Sequence, residues 1–149
     1  MTTALWCVLI AGLLPYAATL TAKIGGAKFD NANPRDWLGG QSGFRRRANA
    51  AQLNSFEAFP LFAAAVIVAQ MLGAPQARVD LLAMVFVAAR IAYLGCYLAD
   101  LATLRSLAWF VAIASAVAIF VSAASATVYA GSVWPFLTKG TSIASASGT

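Results

Sequence analysis

Two apolar stretches of this sequence each contain a group of polar side chains that could do chemistry. The groups are Gln52, Asn54 and Glu57 in the earlier stretch and Arg90, Tyr93 and Tyr97 in the later one. A charge in the middle of a bilayer costs at least about 2.5–3.5 kcal/mol, so it persists with a partner or a purpose. Two interpretations follow: a buried ion pair that only fixes helix register, or a polar cavity that binds a ligand.

Their spacing predicts that the two groups face each other on antiparallel helices. Arg90 and the two tyrosines recur at i, i+3 and i+7 and therefore share one helix face. With a rise of about 1.5 Å per residue, Glu57 and Arg90 both lie about 15–16 Å from the same polar end. The predicted pairs are Glu57 with Arg90, Asn54 with Tyr93, and Arg47 with Tyr97.

The elements that must position these residues are four apolar stretches, each long enough to span about 30 Å of hydrocarbon. They cover about residues 4–22, 47–71, 78–99 and 106–130. We predict an all-α integral membrane four-helix bundle, one domain over residues 1–137, followed by a small, polar, disordered tail over 138–149. A cleaved signal peptide is the alternative for the first stretch, but the first six residues contain no Lys or Arg.

Composition supports a membrane location and excludes several functions. Of the 149 residues, 61% are hydrophobic and 10% are charged, too few charges for a water-facing surface. The net charge of +5 is sparse and scattered, so we expect anionic lipid headgroups and no nucleic acid as its partner. Histidine is absent, which excludes His-based general bases and His-ligated metal sites, and no metal site is predicted.

The loop charges predict the orientation of the chain in the cell membrane. The first and third loops contain Lys23, Lys28, Arg35, Arg45, Arg46, Arg47 and Arg105. The opposite side has only Arg78 and Lys139. By the positive-inside rule, the first and third loops should be cytoplasmic and both termini should lie on the other side.

The polar residues of the second and third spans also resemble a known family. The run over residues 47–62, with Asn54, Glu57 and Pro60 in an Asn-x-x-Glu-x-x-Pro core, resembles the signature of the MAPEG family, membrane-associated proteins in eicosanoid and glutathione metabolism. Residues 33–37 look like the bacterial branch of that family. In the third span and after it, four residues follow in the family's order: Arg90, Tyr93, Tyr97 and Arg105.

The resemblance implies a homotrimer with glutathione bound between protomers near the cytoplasmic side. It implies that Arg105 stabilises the glutathione thiolate, with Tyr97 beside the sulfur, and that an apolar co-substrate enters from the bilayer. The residues expected to bind glutathione are Arg47, Gln52, Asn54, Glu57, Arg90 and Tyr93. The expected activity is a membrane-bound glutathione transferase or peroxidase acting on apolar electrophiles or lipid hydroperoxides.

Two positions depart from the family pattern. Glutathione-using members usually have an arginine where this chain has Ala50, and often a tyrosine where it has Ala58. Arg47, Arg46 or Arg35 are the arginines that could replace the missing one. The alternative function is therefore a non-catalytic membrane protein of the same fold that binds a lipid or thiol. A transporter is disfavoured, because the second and third spans are apolar beyond Glu57 and Arg90.

Overall fold

Helices form all the regular structure in the part of the chain that is described. A computed structural model describes residues 1–24 and 29–137, with side chains described as far as residue 126. The helices are α1 (Thr3–Lys23), α2 (Pro34–Gly39), α3 (Gly43–Met71), α4 (Gln76–Leu98) and α5 (Ala102–Leu137). Four of these are long and apolar enough to cross a membrane, so the predicted all-α membrane fold is confirmed and the chain is a multi-pass membrane protein.

The helix bounds differ from the predicted spans most at the end of α5, which lies at Leu137 and was predicted at residue 130, and at the starts of two helices. The second long helix begins at Gly43 and the fourth at Ala102, each four residues before the predicted start. Polar residues can continue a helix beyond its apolar part with the same backbone conformation, and a hydropathy pattern does not detect that continuation. The predicted disordered tail over residues 138–149 lies outside the described residues.

On α1, small side chains face inward and large ones face outward, as is typical of helices that pack in a membrane. The inward stripe of α1 is Ala4, Cys7, Ala11, Pro15, Ala18 and Ala22. Leu13 and Leu20, on the outward side, are 55% and 63% exposed. Gly12 lets α1 approach α3 closely, because a Cβ there would lie 3.3 Å from the ring of Phe59.

The centre of the bundle contains a stacked phenyl pair. The rings of Phe62 on α3 and Phe86 on α4 are parallel within 3°, with centroids 3.8 Å apart, and both are fully buried. This pair fixes α3 against α4 one helical turn from Arg90. The residues predicted to form a site therefore lie on one side of the pair, toward the end of the bundle formed by residues 29–42 and 99–101, here called the polar end.

Two tight turns reverse the chain, and both use the same backbone motif. After α3, Gly73 has a φ of 66°, and Ala74 N–H donates to the carbonyl of Ala69. After α4, Asp100 has a φ of 63°, and Leu101 N–H donates to the carbonyl of Cys96. Each is a Schellman turn, which closes a helix with one residue in the left-handed conformation.

A short segment and α2 connect α1 to α3 at the polar end. Asp30 accepts hydrogen bonds from the backbone N–H groups of Ala32 and Asn33, which lower the pKa of its carboxyl. The side chain of Asn33 donates to Asp30 and makes no cap to α2, which begins with Pro34 at its first position. Leu38 anchors α2 against α1 and α3.

At the other end of the bundle, α4 caps α1. The Oδ1 atom of Asp80 accepts a hydrogen bond of 2.7 Å from the backbone N–H of Ala4 and one of 2.8 Å from the amide of Gln76. The first N–H groups of a helix have no partner within it, so this carboxylate takes the place of a local N-cap.

Candidate functional site

Arg90 is the buried cation at the base of the candidate site. Its side chain is 2% exposed. One guanidinium nitrogen donates to Asn54 Oδ1 at 3.1 Å, and the other donates to Ser55 Oγ at 3.0 Å. Both acceptors lie on α3, so the guanidinium joins α3 to α4 inside the bundle.

The prediction of a direct ion pair between Glu57 and Arg90 is wrong. Among the described residues, the only ion pair within 4.0 Å joins Arg47 to Asp100. Glu57 is exposed, and its Oε2 accepts a hydrogen bond of 3.2 Å from Asn54 Nδ2. Ser55 faces inward, and a residue two positions later points about 200° around the helix. Asn54 therefore stands between the two charges and bonds to both.

A row of two aromatic rings and a second cation continues from Arg90 toward the polar end. The guanidinium of Arg90 lies 4.3 Å from the ring centroid of Tyr93. Tyr93 meets Tyr97 edge to face, with ring centroids 5.4 Å apart. The guanidinium of Arg105, at the start of α5, lies 4.4 Å from the Tyr97 centroid. Such contacts hold each guanidinium over a ring face.

The partners of Arg105 distinguish it from Arg90. Arg105 is half-buried, and within the described residues it has no hydrogen bond or ion pair with a side chain; its side-chain contact is with the Tyr97 ring. A guanidinium has five N–H donors and stays charged at any working pH. Arg105 therefore has its charge and its donors free to bind an anion, whereas two nitrogens of the buried Arg90 already donate to side chains of α3.

A cavity of about 410 Å³ opens at the polar end beside Tyr97. It is lined by Gly43, Arg46, Arg47, Ala50, Tyr97 and Asp100. Arg47 donates to Asp100 at 3.4 Å and to the backbone carbonyl of Leu98 at 3.2 Å. Arg47 and Tyr97 thus line one cavity, as their predicted pairing implies, but the side-chain bond of Arg47 goes to Asp100.

The model of the MAPEG family matches residues 3–125. This chain belongs to the MAPEG family. No curated protein matches it.

Gln52 is the predicted site residue that this MAPEG chain places elsewhere. It lines a separate cavity of about 390 Å³ with Arg35, Leu38, Asn49, Leu53 and Phe56. Its Oε1 is buried and accepts no hydrogen bond from the described residues. Within one protomer, Gln52 and Arg35 therefore face a different side of α3 from Arg90.

Sequence reasoning missed two polar residues of the site in this family member. Ser55 accepts from the buried Arg90, but a serine is common in membrane helices and its hydroxyl also donates to the Ala51 carbonyl. The other residue is Asp100, which lines the cavity and accepts a hydrogen bond from Arg47. Its position directly after a predicted span, where glycine is usual, is the signal that could have singled it out.

Proposed function

We propose that this chain is a membrane-bound glutathione-dependent transferase or peroxidase acting on apolar electrophiles or lipid hydroperoxides. The observation that supports this best is the half-buried guanidinium of Arg105, which has no carboxylate partner among the described residues and lies over Tyr97 beside a polar cavity. A fixed cation favours a thiolate over a thiol, and the thiolate is the nucleophile. Membership in the MAPEG family supports glutathione as the thiol, because the family is generally associated with glutathione.

Arg105 and Tyr97 are the proposed catalytic residues. In the transferase reaction, the glutathione thiolate attacks an electrophilic carbon, the S–C bond forms, and the leaving group departs with the bonding electrons. In the peroxidase reaction, the thiolate attacks a peroxide oxygen, the O–O bond breaks, and the alcohol leaves after taking a proton. A second glutathione then displaces water from the sulfenic intermediate and gives the disulfide. Arg105 holds the sulfur as the thiolate until it attacks.

The remaining site residues bind and position the tripeptide. Arg90 is already bonded to Asn54 and Ser55, so its main effect is to hold the Asn54 amide in one orientation. Asn54, Glu57 and Tyr93 are the proposed contacts of the tripeptide beyond the cavity, and Arg47 lines the cavity itself. Arg47 lies almost one helical turn before Ala50 and takes the place of the arginine that glutathione-using members have there.

A homotrimer would complete this site. Glu57 and Gln52 lie on different sides of α3 within one protomer, and the buried carbonyl oxygen of Gln52 has no donor among the described residues. A neighbouring protomer that presents its Gln52 and Arg35 next to Glu57 would bring both groups to one ligand. In this arrangement the polar end faces the cytoplasm, both termini lie outside it, and the apolar substrate enters from the bilayer.

The second candidate is a non-catalytic protein that binds a lipid or thiol. The observation that favours it is Ala50, whose methyl group leaves the cavity without the family's arginine. In that case ligand binding would persist without turnover.

Glutathione titration of the detergent-purified protein tests the proposal. We expect saturable binding by calorimetry, a thiolate ultraviolet absorbance for the bound form, and conjugation of a small electrophile. Arg105→Ala should lose the thiolate signal, whereas Arg78→Ala, an exposed arginine at the other end, should keep it. Glutathione binding without turnover or thiolate absorbance supports the second candidate. No glutathione binding at all contradicts the first proposal and leaves the second, with a lipid or another thiol as its ligand.

A further inference from the structure

We infer that the cavity between the start of α3 and the end of α4 recognises a zwitterionic α-amino-acid group, with Asp100 binding its ammonium and Arg46 and Arg47 binding its carboxylate. The inference rests on the proposed function, since the γ-glutamyl end of glutathione is such a group. It assigns to Asp100 the choice among thiols: those that carry a free α-amino group are accepted, and those without one are discriminated against.

The charges that line the cavity suit such a ligand. Both signs are present, two arginines and one carboxylate, within about 410 Å³. An α-amino acid carries an ammonium and a carboxylate on one carbon and needs one partner of each sign close together. Ala50 lines the same cavity and, with no side chain beyond its Cβ, leaves room for the ligand backbone.

The bond between Arg47 and Asp100 is loose enough for a ligand to share it. It is a single contact of 3.4 Å, longer than the usual 2.7–2.9 Å of a charged pair, and the two side chains are 29% and 69% exposed. Asp100 Oδ1 accepts no hydrogen bond from the described residues, and Arg47 Nε is buried without an acceptor. Neither group is therefore saturated by the other.

The backbone at Asp100 argues that its side chain has a use. Asp100 occupies the left-handed position of a Schellman turn with a φ of 63°, which glycine adopts without a Cβ penalty. Gly73 occupies the same position of the other turn with a φ of 66°. One chain thus has two equivalent turns, and only the one beside the cavity has a side chain at the unfavourable position. Strained residues of this kind cluster at functional sites.

The cavity also lies at the right place for a thiol substrate. Tyr97 lines it, and the guanidinium of Arg105 lies against the Tyr97 ring. A tripeptide whose amino-acid end sits between Asp100 and Arg47 would therefore extend past Tyr97 and bring its sulfur to Arg105.

Two ligands and three variants test the assignment. The ligands are glutathione and its glutaryl analogue, which lacks only the α-amino group, and binding is measured by calorimetry in a defined detergent. We expect the wild type to bind glutathione about tenfold more tightly than the analogue, a typical effect of one charge-assisted hydrogen bond at a partly exposed site. In Asp100→Asn and Asp100→Gly the ratio should fall close to one. Asp36→Asn, an exposed aspartate on α2, should leave the ratio unchanged.

Asp100→Gly separates recognition from folding. Because glycine suits the turn, this variant should unfold at the wild-type temperature or above it while losing the preference for the α-amino group. A lower unfolding temperature with an unchanged ratio would mean that Asp100 serves the turn alone, and the inference would be wrong.

The other outcomes of this binding experiment also decide whether the inference and the proposed function stand. Equal affinity of the wild type for both ligands overturns the inference and leaves the proposed function standing. Binding of neither ligand overturns both. If Asp100→Asn alters only the retention of phosphatidylethanolamine in nanodiscs of defined composition, the cavity takes a lipid headgroup, and the assignment to a thiol substrate is wrong.

Discussion

Replacing Arg105 with alanine should raise the pKa of a thiol bound beside Tyr97 and slow its reactions. The guanidinium is half-buried, lies 4.4 Å from the centroid of the Tyr97 ring and has no anionic partner among the described residues. Because a guanidinium does not titrate at any working pH, its removal is a clean loss of one positive charge.

The size of the effect follows from Coulomb's law. A unit charge about 4 Å from a thiolate contributes about 4 kcal/mol at an effective dielectric constant of about 20, and about 1 kcal/mol in bulk water. Arg105 is partly exposed, so a value of about 1–3 kcal/mol applies, which raises the pKa of the bound thiol by about one to two. Turnover at neutral pH should fall by about 10²-fold, as when one electrostatic stabiliser is removed.

The assay is the thiolate absorbance of bound glutathione across pH, together with the pH profile of conjugation. In Arg105→Ala the alkaline rise of both curves should move to higher pH, and Arg105→Lys should recover part of the shift because it restores charge without the planar fork. Arg78→Ala should match the wild type. Unchanged curves in Arg105→Ala, in protein that binds glutathione normally, would refute the electrostatic role of Arg105.

Three further predictions concern stability and topology. Asn54→Leu should lower the free energy of unfolding by about 2–4 kcal/mol, because it leaves one donor of the buried Arg90 without an acceptor. Glu57→Gln should lower it by less than about 1 kcal/mol. Both are measured by denaturant titration in detergent, and the reverse order would mean that Glu57 is the main partner of Arg90. A reporter fused after Thr149 should be active only outside the cytoplasm, and cytoplasmic activity would contradict the proposed orientation. Asp80→Ala should lower the free energy of unfolding by about 1 kcal/mol through loss of the cap on α1, and an unchanged stability would mean that this cap contributes nothing.

The class of fold could be predicted from the sequence because the signal for a membrane helix adds up over about 20 consecutive apolar residues. Four apolar stretches of adequate length define the four long helices, and the shared face of Arg90, Tyr93 and Tyr97 follows from helical periodicity alone. Because the three polar residues share this face, they form one row. In the structure, Arg90 contacts the ring of Tyr93, and Tyr93 contacts the ring of Tyr97.

The details of hydrogen bonding could not be predicted in the same way. Depth alone placed Glu57 level with Arg90, but the rotation of α3 decides which side chain enters the bundle, and that rotation turns Ser55 inward and Glu57 outward. Asn54 then bonds to both charged groups. Likewise, the left-handed conformation of Asp100 depends on how α4 ends, and a hydropathy pattern has no information about φ. The proposed contact between protomers around Gln52 depends on surfaces that a single chain leaves exposed.

The phenyl pair at the centre of the bundle also bears on the membrane as an insulator. A membrane that stores a potential of about 100 mV holds about 2.3 kcal/mol for each elementary charge that crosses it, and any continuous file of polar groups and water would let protons dissipate that energy. Arg90 carries a charge deep into the bundle, one helical turn from Phe86, but the rings of Phe62 and Phe86 stack at 3.8 Å with no room for water between them. The polar row therefore ends at the phenyl pair. A bundle built in this way can hold a fixed charge inside the bilayer, and the proposed site can open to a water-soluble ligand from one side, while the membrane around it keeps its proton gradient.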